Sequence, residues 1–187
     1  SFDDITVHDI VAAADRTVGS FYARFDDKDA VLHVLVDQLD DRVSDVVRAF
    51  CDPVRWEGAP LTDFVAESVR LNEQAYRSTA PLFRAALLAA VRDPSFRRRR
   101  LATLRTCADL QKQLVLTRAA ETSCPDPGRA SDQWFELVAA RLDHELLFGR
   151  FTETSPETDA DLVAELTDQC LHVLGATAPA AEPPAAT

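Results

Sequence analysis

Hydrophobic residues along this chain recur at intervals of three and four, and no period-two alternation survives anywhere. The pattern predicts an all-α fold of eight helices. Thr6, followed three residues later by Asp9, has the form of a capping box, and Ile10, Val11 and Ala14 supply the apolar stripe behind it. Asp15-Arg16 interrupts that stripe. Thr17 is a second N-cap, after which Val18, Phe21, Tyr22 and Phe25 return at helical spacing. Asp27 is placed to cap a third helix from Lys28 to Phe50, with Val31, Leu32, Leu35, Leu39, Val43, Val46 and Val47 inward. The segment from Cys51 to Ala59, with Pro53 and Gly58, reads as a loop.

Beyond it, helices are expected over Pro60–Ser78 and Ala80–Val91. Asp93-Pro94 is an N-cap followed by proline at the first helical position, opening a long helix to Ala120. Thr122–Ala130, containing Cys124-Pro125-Asp126-Pro127-Gly128, reads as a loop. Ser131 is expected to cap a helix ending near Gly149, and Ser155-Pro156 to open the last one, ending at Gly175. The Ala/Pro-rich stretch 176–187 reads as a disordered tail.

Composition narrows the class. Of 187 residues, 47% are hydrophobic, which is ample for a core, and the formal net charge is −11. No run approaches the roughly 18 apolar residues a membrane span needs, so no membrane partner is expected, and no secretory segment opens the chain. The reading is a soluble, cytoplasmic protein. Cys51, Cys107, Cys124 and Cys170 lie far apart, which argues against a disulfide scaffold or a zinc ribbon. Cys107 and Cys170 read as packing residues on apolar faces. The four histidines show no i, i+4 pairing, so neither a metal nor another cofactor is expected. Asp143-His144 with Ser131 makes no triad, because neighbours on a helix point about 100° apart, and no enzymatic activity is expected. Arg97–Arg100 reads as a solvated first turn rather than a nucleic-acid patch.

The opening pair is the most informative feature. Two short helices, two or three residues apart, with the second capped by a hydroxyl residue, fit a helix-turn-helix. The stretch Ile5-Thr6-Val7-His8-Asp9-Ile10, then Ala13-Ala14, then Thr17-Val18-Gly19-Ser20-Phe21-Tyr22-Ala23-Arg24-Phe25-Asp26-Asp27-Lys28, resembles the DNA-binding signature of the TetR family of transcriptional regulators. The matched block spans residues 2–35. Where that family usually carries glycine and valine in the turn, this chain has Asp15 and Arg16. Asp tolerates a left-handed backbone better than most residues, and Arg16 has to point outward or reach the DNA backbone. The resemblance also implies a further helix ahead of position 1, covering the pair.

Each matched position has a physical task in that reading. Thr17, Val18, Gly19, Tyr22, Ala23 and Arg24 are expected in the major groove, with Ser20 and Arg16 beside them. Thr6, Tyr22 and Lys28 are expected to hold phosphates. Gly19 lets the helix approach closely, and Phe21 and Phe25 face the core. The implied partner is double-stranded operator DNA. Residues 1–50, however, hold eleven acidic and five basic groups, which predicts modest affinity.

The implied organisation is a helix-turn-helix part over residues 1–35 and a ligand-binding and dimerisation domain over 36–175. Phe64, Ser68, Leu71, Asn72 and Tyr76 form a mixed apolar and hydrogen-bonding stripe. With Gln111, Trp134, Arg141 and His144 they are the candidate pocket for a small hydrophobic effector. Two apolar stripes on the helix from Ser131 predict a homodimer formed by Phe135, Ala139, Leu142 and Leu146 with Leu162, Leu166 and Leu171. The expected function is therefore a ligand-responsive, dimeric repressor. The alternative is a helical ligand- or protein-binding module that has lost DNA binding.

Overall fold

The computed structural model describes residues 2–149 and 158–176, and among these every regular element is helical. The α-helices are α1 (Val7–Ala13), α2 (Val18–Tyr22), α3 (Lys28–Phe50), α4 (Leu61–Ser78), α5 (Ala80–Arg92), α6 (Pro94–Thr117), α7 (Pro127–Phe148) and α8 (Asp159–Leu174). Short 3-10 turns occupy Phe2–Asp4, Pro53–Trp56 and Ala119–Glu121. Among the described residues no helix is long and apolar enough to cross a membrane.

Caps set most of the boundaries. Thr6, Thr17 and Thr158 each form a reciprocal capping box, with Asp9, Ser20 and Asp161. The carboxylates of Asp27 and Asp93 cap α3 and α6. Gly175 ends α8 at φ +59°, and a Cβ there would lie 2.5 Å from Ser123 Oγ, so both conformation and space demand glycine.

Two boundaries differ from expectation. Helix α7 starts at Pro127, because Asp126 accepts from Arg129 N at 3.0 Å, and Ser131 is a buried residue inside the helix rather than its cap. Asp126-Pro127 repeats the Asp93-Pro94 signal, and Gly128 continues it because its missing side chain lets α7 lie against Lys112 and Leu116 of α6. The segment 51–59 is also not a bare loop. Trp56 is buried in its 3-10 turn and donates from Nε1 to the Phe50 carbonyl at 2.6 Å, while Arg118 holds the carbonyls of Trp56 and Ala59. Glu121 accepts from Leu61 N at 2.6 Å, supplying the cap that Pro60 lacks. The expected helix start at Ser155-Pro156 lies outside the described residues, as does the expected disordered tail over 176–187 except for Ala176, which is buried and donates from N to Leu171 O at 3.0 Å.

The core is one aromatic chain wrapped in aliphatic side chains. Phe50 stacks on Phe64 at 5.4 Å, Trp56 meets Phe64 edge-on at 5.2 Å, and Phe64 meets Trp134 edge-on at 5.9 Å. A second cluster, Leu32, Val36, Ala85, Ala86 and Phe96, fastens the first half of α3 to α5 and α6. Helix α3 runs without a break through positions 35–36 and so belongs to both ends of the molecule.

Helix α7 packs against α4, α5, α6 and α8, and this corrects the expected interface. Leu142, Leu146, Leu162 and Leu166 are buried within the chain's own core. Phe135 and Ala139 line an internal cavity, and half-buried Leu171 packs on the same core. Both apolar stripes of α7 are thus covered by the chain itself. Leu142 and Leu146 of the second stripe are buried, while Phe135 and Ala139 are half-buried.

Candidate functional site

Helices α1 and α2 are joined by a Schellman turn. Arg16 N donates to Val11 O at 2.8 Å and Asp15 N to Ala12 O at 3.3 Å, with Asp15 at φ +51° in the position usually held by glycine. The left-handed backbone that Asp permits is therefore used. Arg16 is exposed, and its guanidinium bonds only the neighbouring Asp15 carbonyl, at 3.1 Å.

Beyond the turn, Phe21 is buried and packs on half-buried Phe25 at 5.5 Å, which anchors α2 from beneath. The upper face is open: Thr17, Gly19, Ala23 and Arg24 are exposed, Tyr22 is 57% exposed, and Val18 and Ser20 are half-buried. Thr17 Oγ1 accepts from Ser20 N at 3.2 Å, a bond that does not use its hydroxyl proton. A Cβ added to Gly19 would meet nothing closer than Thr17 Oγ1 at 3.9 Å, and the backbone there is ordinary helix. Nothing among the described residues requires glycine at this position, although glycine in a helix costs about 0.5–1 kcal/mol relative to alanine.

Two expected phosphate contacts are placed otherwise. Lys28 Nζ donates to the carbonyls of Phe2 at 3.1 Å and Ile5 at 3.2 Å, and lies 5.1 Å from the centre of the Phe2 ring. Its charge fastens the N-terminal turn to α3 instead of standing free. The Thr6 hydroxyl donates to Asp9 Oδ2 at 2.6 Å, so its proton closes the capping box.

The expected ligand stripe divides in three. Phe64 and Trp134 are wholly core. Ser68 Oγ donates to Gln111 Oε1 at 3.1 Å, a buried pair tying α4 to α6, and Asn72 Nδ2 donates to the Ser68 carbonyl at 2.8 Å. Tyr76 alone stands at a polar centre. Its hydroxyl donates to Asp143 Oδ1 at 2.7 Å and accepts from Arg100 Nη2, which also reaches Asp143 Oδ1 at 3.2 Å. Arg141 instead pairs with Glu145 at 2.7 Å, and His144 packs on Phe148 with ring centres 5.2 Å apart. Neither joins the Tyr76 group.

Arg100 and Asp143 escaped the sequence reading. In the run Arg97–Arg100, only Arg97 and Arg98 are the solvated residues expected. Arg99 pairs with Asp37 at 2.8 Å, and the Arg100 side chain, 14% exposed, lies across the rings of Tyr76 and Phe83. The available signal was register, because Phe96, Arg100, Thr103 and Cys107 fall on one stripe of α6. Burial pushes the Tyr76 hydroxyl well above its ordinary pKa; Arg100 opposes the shift and Asp143 adds to it. Burial disfavours the Arg100 charge, but Tyr76, Asp143 and Asp40 outweigh it, and the guanidinium stays ionised.

A cleft of about 360 Å³ lies on one side of Tyr76, lined by Glu73, Arg84, Leu142, Leu146 and Leu162 among others. A smaller cavity of about 40 Å³, which Tyr76 also borders, is bounded by Asn72, Phe83, Arg100, Phe135 and Ala139. The larger space can take a small organic molecule; the smaller holds no more than a water or two. Buried Glu73 borders the cleft and pairs with Arg77 at 2.5 Å. Arg84 binds the Leu146 carbonyl through Nε at 2.9 Å and Nη2 at 2.7 Å. The cleft wall therefore combines aliphatic surface with compensated charge.

No family model matches the chain, and no curated protein or solved structure matches it either.

Proposed function

We propose that the protein is a ligand-responsive transcriptional regulator of the TetR type, acting as a repressor on double-stranded operator DNA in the cytoplasm. The α1–α2 pair enters the major groove through Thr17, Val18, Gly19, Tyr22, Ala23 and Arg24, with Arg16 and Ser20 at the rim. The observation that carries the reading is Gly19. An exposed helical glycine that no internal contact requires makes sense where another molecule must come close to the backbone. The exposed hydroxyl of Tyr22 and the cations of Arg16 and Arg24 border the same face, suited to phosphate oxygens.

The effector site in this reading is the cleft beside Tyr76, where Ala80, Leu142, Leu146 and Leu162 offer apolar surface to a small hydrophobic molecule and the charged side chains around them offer anchors for a polar group on it. Helix α3 packs on α5 and α6 and holds the N-terminal turn through Lys28, so a ligand that prefers one placement of α3 changes the presentation of the helix pair. Operator DNA must then weaken effector binding by the same factor. A homodimer supplies the paired half-sites. Its contact face uses outward residues of α7 and α8, such as Gln133, Glu136, Ala140 and Ala164, because the leucines of those helices face the core.

A second reading, a helical binding module without DNA affinity, draws on charge. Residues 1–50 hold eleven acids against five cations, and one of those cations, Lys28, is bound to its own chain. A mobility-shift assay on the upstream region of the gene encoding this protein, repeated across salt concentrations, decides between them. The regulator reading expects a retarded complex whose affinity falls with salt. No complex at any salt concentration overturns it.

A further inference from the structure

Two buried polar atoms among the described residues lack a hydrogen-bond partner, Asp40 Oδ2 and Arg100 Nε. Both residues line one small cavity of about 10 Å³ between α3, α5 and α6. The rest of its wall is apolar: Val36, Leu39, Phe83, Ala86, Leu87 and Phe96. A buried donor or acceptor left unpaired is destabilising, and two such groups on residues that line one dry void are an unfavourable arrangement. A space of roughly 10–15 Å³ admits one water, provided polar partners are present. Here one partner donates and the other accepts, which is what a single water needs.

We infer that one water molecule is bound in this cavity, accepting from Arg100 Nε and donating to Asp40 Oδ2. Both groups are already fastened at other atoms. Thr103 hydrogen-bonds the Asp40 carboxylate, and Arg100 Nη2 is held by Tyr76 and Asp143. The water closes an unbroken polar chain from Asp40 on α3, through Arg100 on α6, to Tyr76 on α4 and Asp143 on α7. Asp37 already pairs with Arg99 at 2.8 Å and Thr103 already bonds Asp40, so α3 is tied to α6 directly; the water adds the one link that continues from Asp40 through Arg100 to Tyr76 and Asp143. With it, the position of α3 is registered against the residues that border the cleft. The water site stands without the regulator reading; only the use of the chain in signalling rests on that reading.

The test uses the free protein, with neither DNA nor effector. A high-resolution crystal structure should show one water within hydrogen-bond distance of both Asp40 Oδ2 and Arg100 Nε. A direct Asp40–Arg100 ion pair, or a dry cavity, overturns the inference. In solution, water magnetic relaxation dispersion should lose one long-lived internal water in Asp40→Leu and keep it in Asp40→Asn, whose amide oxygen still accepts. An Asp40→Leu profile equal to that of the unmodified protein overturns it as well. The chain of bonds has its own readout. Tyr76→Phe should shift the amide resonances of α3 around Asp40, and the shift should vanish in the Asp40→Leu background. A shift that persists there removes the polar link.

Discussion

Tyr76 donates its hydroxyl proton to Asp143 at 2.7 Å, joining α4 to α7 across 67 residues of sequence at the edge of a cleft of about 360 Å³. Arg100 enters the same bond pair from α6, so three helices converge on one phenol oxygen. Replacing Tyr76 with Phe keeps the ring packing against Phe83 and removes only the hydroxyl. Because Arg100 and Asp143 then each lose a buried partner, the expected loss is about 1–3 kcal/mol of stability. Urea unfolding reads it as a lower midpoint at unchanged slope. An unmoved midpoint means the phenol is dispensable.

Gly19 separates stability from recognition. Alanine meets no neighbour inside 3.9 Å and improves helix propensity, so Gly19→Ala should leave the melting temperature equal or slightly higher. Its methyl group stands where the proposed duplex would approach, and operator affinity should drop at least tenfold. Melting curves and gel shifts on the same preparation check both halves. Full operator affinity in Gly19→Ala removes the argument from close approach.

These two residues differ in how far the sequence revealed them. Caps are local, and Thr6, Thr17, Asp27 and Asp93 stop or start helices through atoms within three residues, so those boundaries were readable in advance. The left-handed turn at Asp15 was readable for the same reason. Tyr76 was visible as a polar group on an apolar stripe, but its partners are 24 and 67 residues away and no local pattern pairs them. Arg100 sat in a run of four arginines, where composition suggests solvent and only register reveals burial. The α7 leucines misled for a related reason. Periodicity shows that a face is apolar without showing what covers it, and here the chain's own α4, α5, α6 and α8 do so.

Asp40 gives the molecule an acid-side signature. Burial raises its pKa, with the Thr103 hydrogen bond and Arg100 opposing less strongly. The folded state therefore holds this proton more tightly than the unfolded chain does. Stability from this group is present at low pH and is lost as pH rises from about 4 through the raised folded value. Asp40→Asn carries no proton to lose, so its stability relative to the unmodified protein should improve across that window and then level off. Denaturation midpoints from pH 3 to 8 test this. A difference that does not change with pH sinks the assignment.

Thiol reactivity should report the packing of the bundle. Cys51 and Cys170 are buried, with thiols pushed up to about 12, and Cys107 is pushed up to about 11, by burial in each case. Cys124 is half-buried on the connection between α6 and α7. Since the thiolate is the reactive form, an aromatic disulfide reagent at pH 8 should titrate one fast thiol in the folded protein and four in denaturant. Rapid reaction of Cys170, identified by mass spectrometry, would mean that α8 opens readily from the core.

Introducing a charge at either of two neighbouring positions on α7 tests the proposed dimer. Leu142 is 4% exposed and packs inside the chain, whereas Ala140 points outward. Aspartate at 142 puts an unpaired carboxylate in the core and empties the space of a leucine, at a cost of about 4 kcal/mol or more. Leu142→Asp should therefore unfold the protein or leave a loosened chain, whatever its oligomeric state. Ala140→Asp disturbs no internal contact. In a symmetric dimer formed through the outer faces of α7 and α8, the same substitution enters the interface twice. Ala140→Asp should stay helical by circular dichroism, sediment as a monomer and bind paired half-sites far more weakly. If the unmodified protein already sediments as a monomer at micromolar concentration, the dimer is wrong. If Ala140→Asp remains a stable dimer with full operator affinity, the contact face lies elsewhere than on the outside of α7.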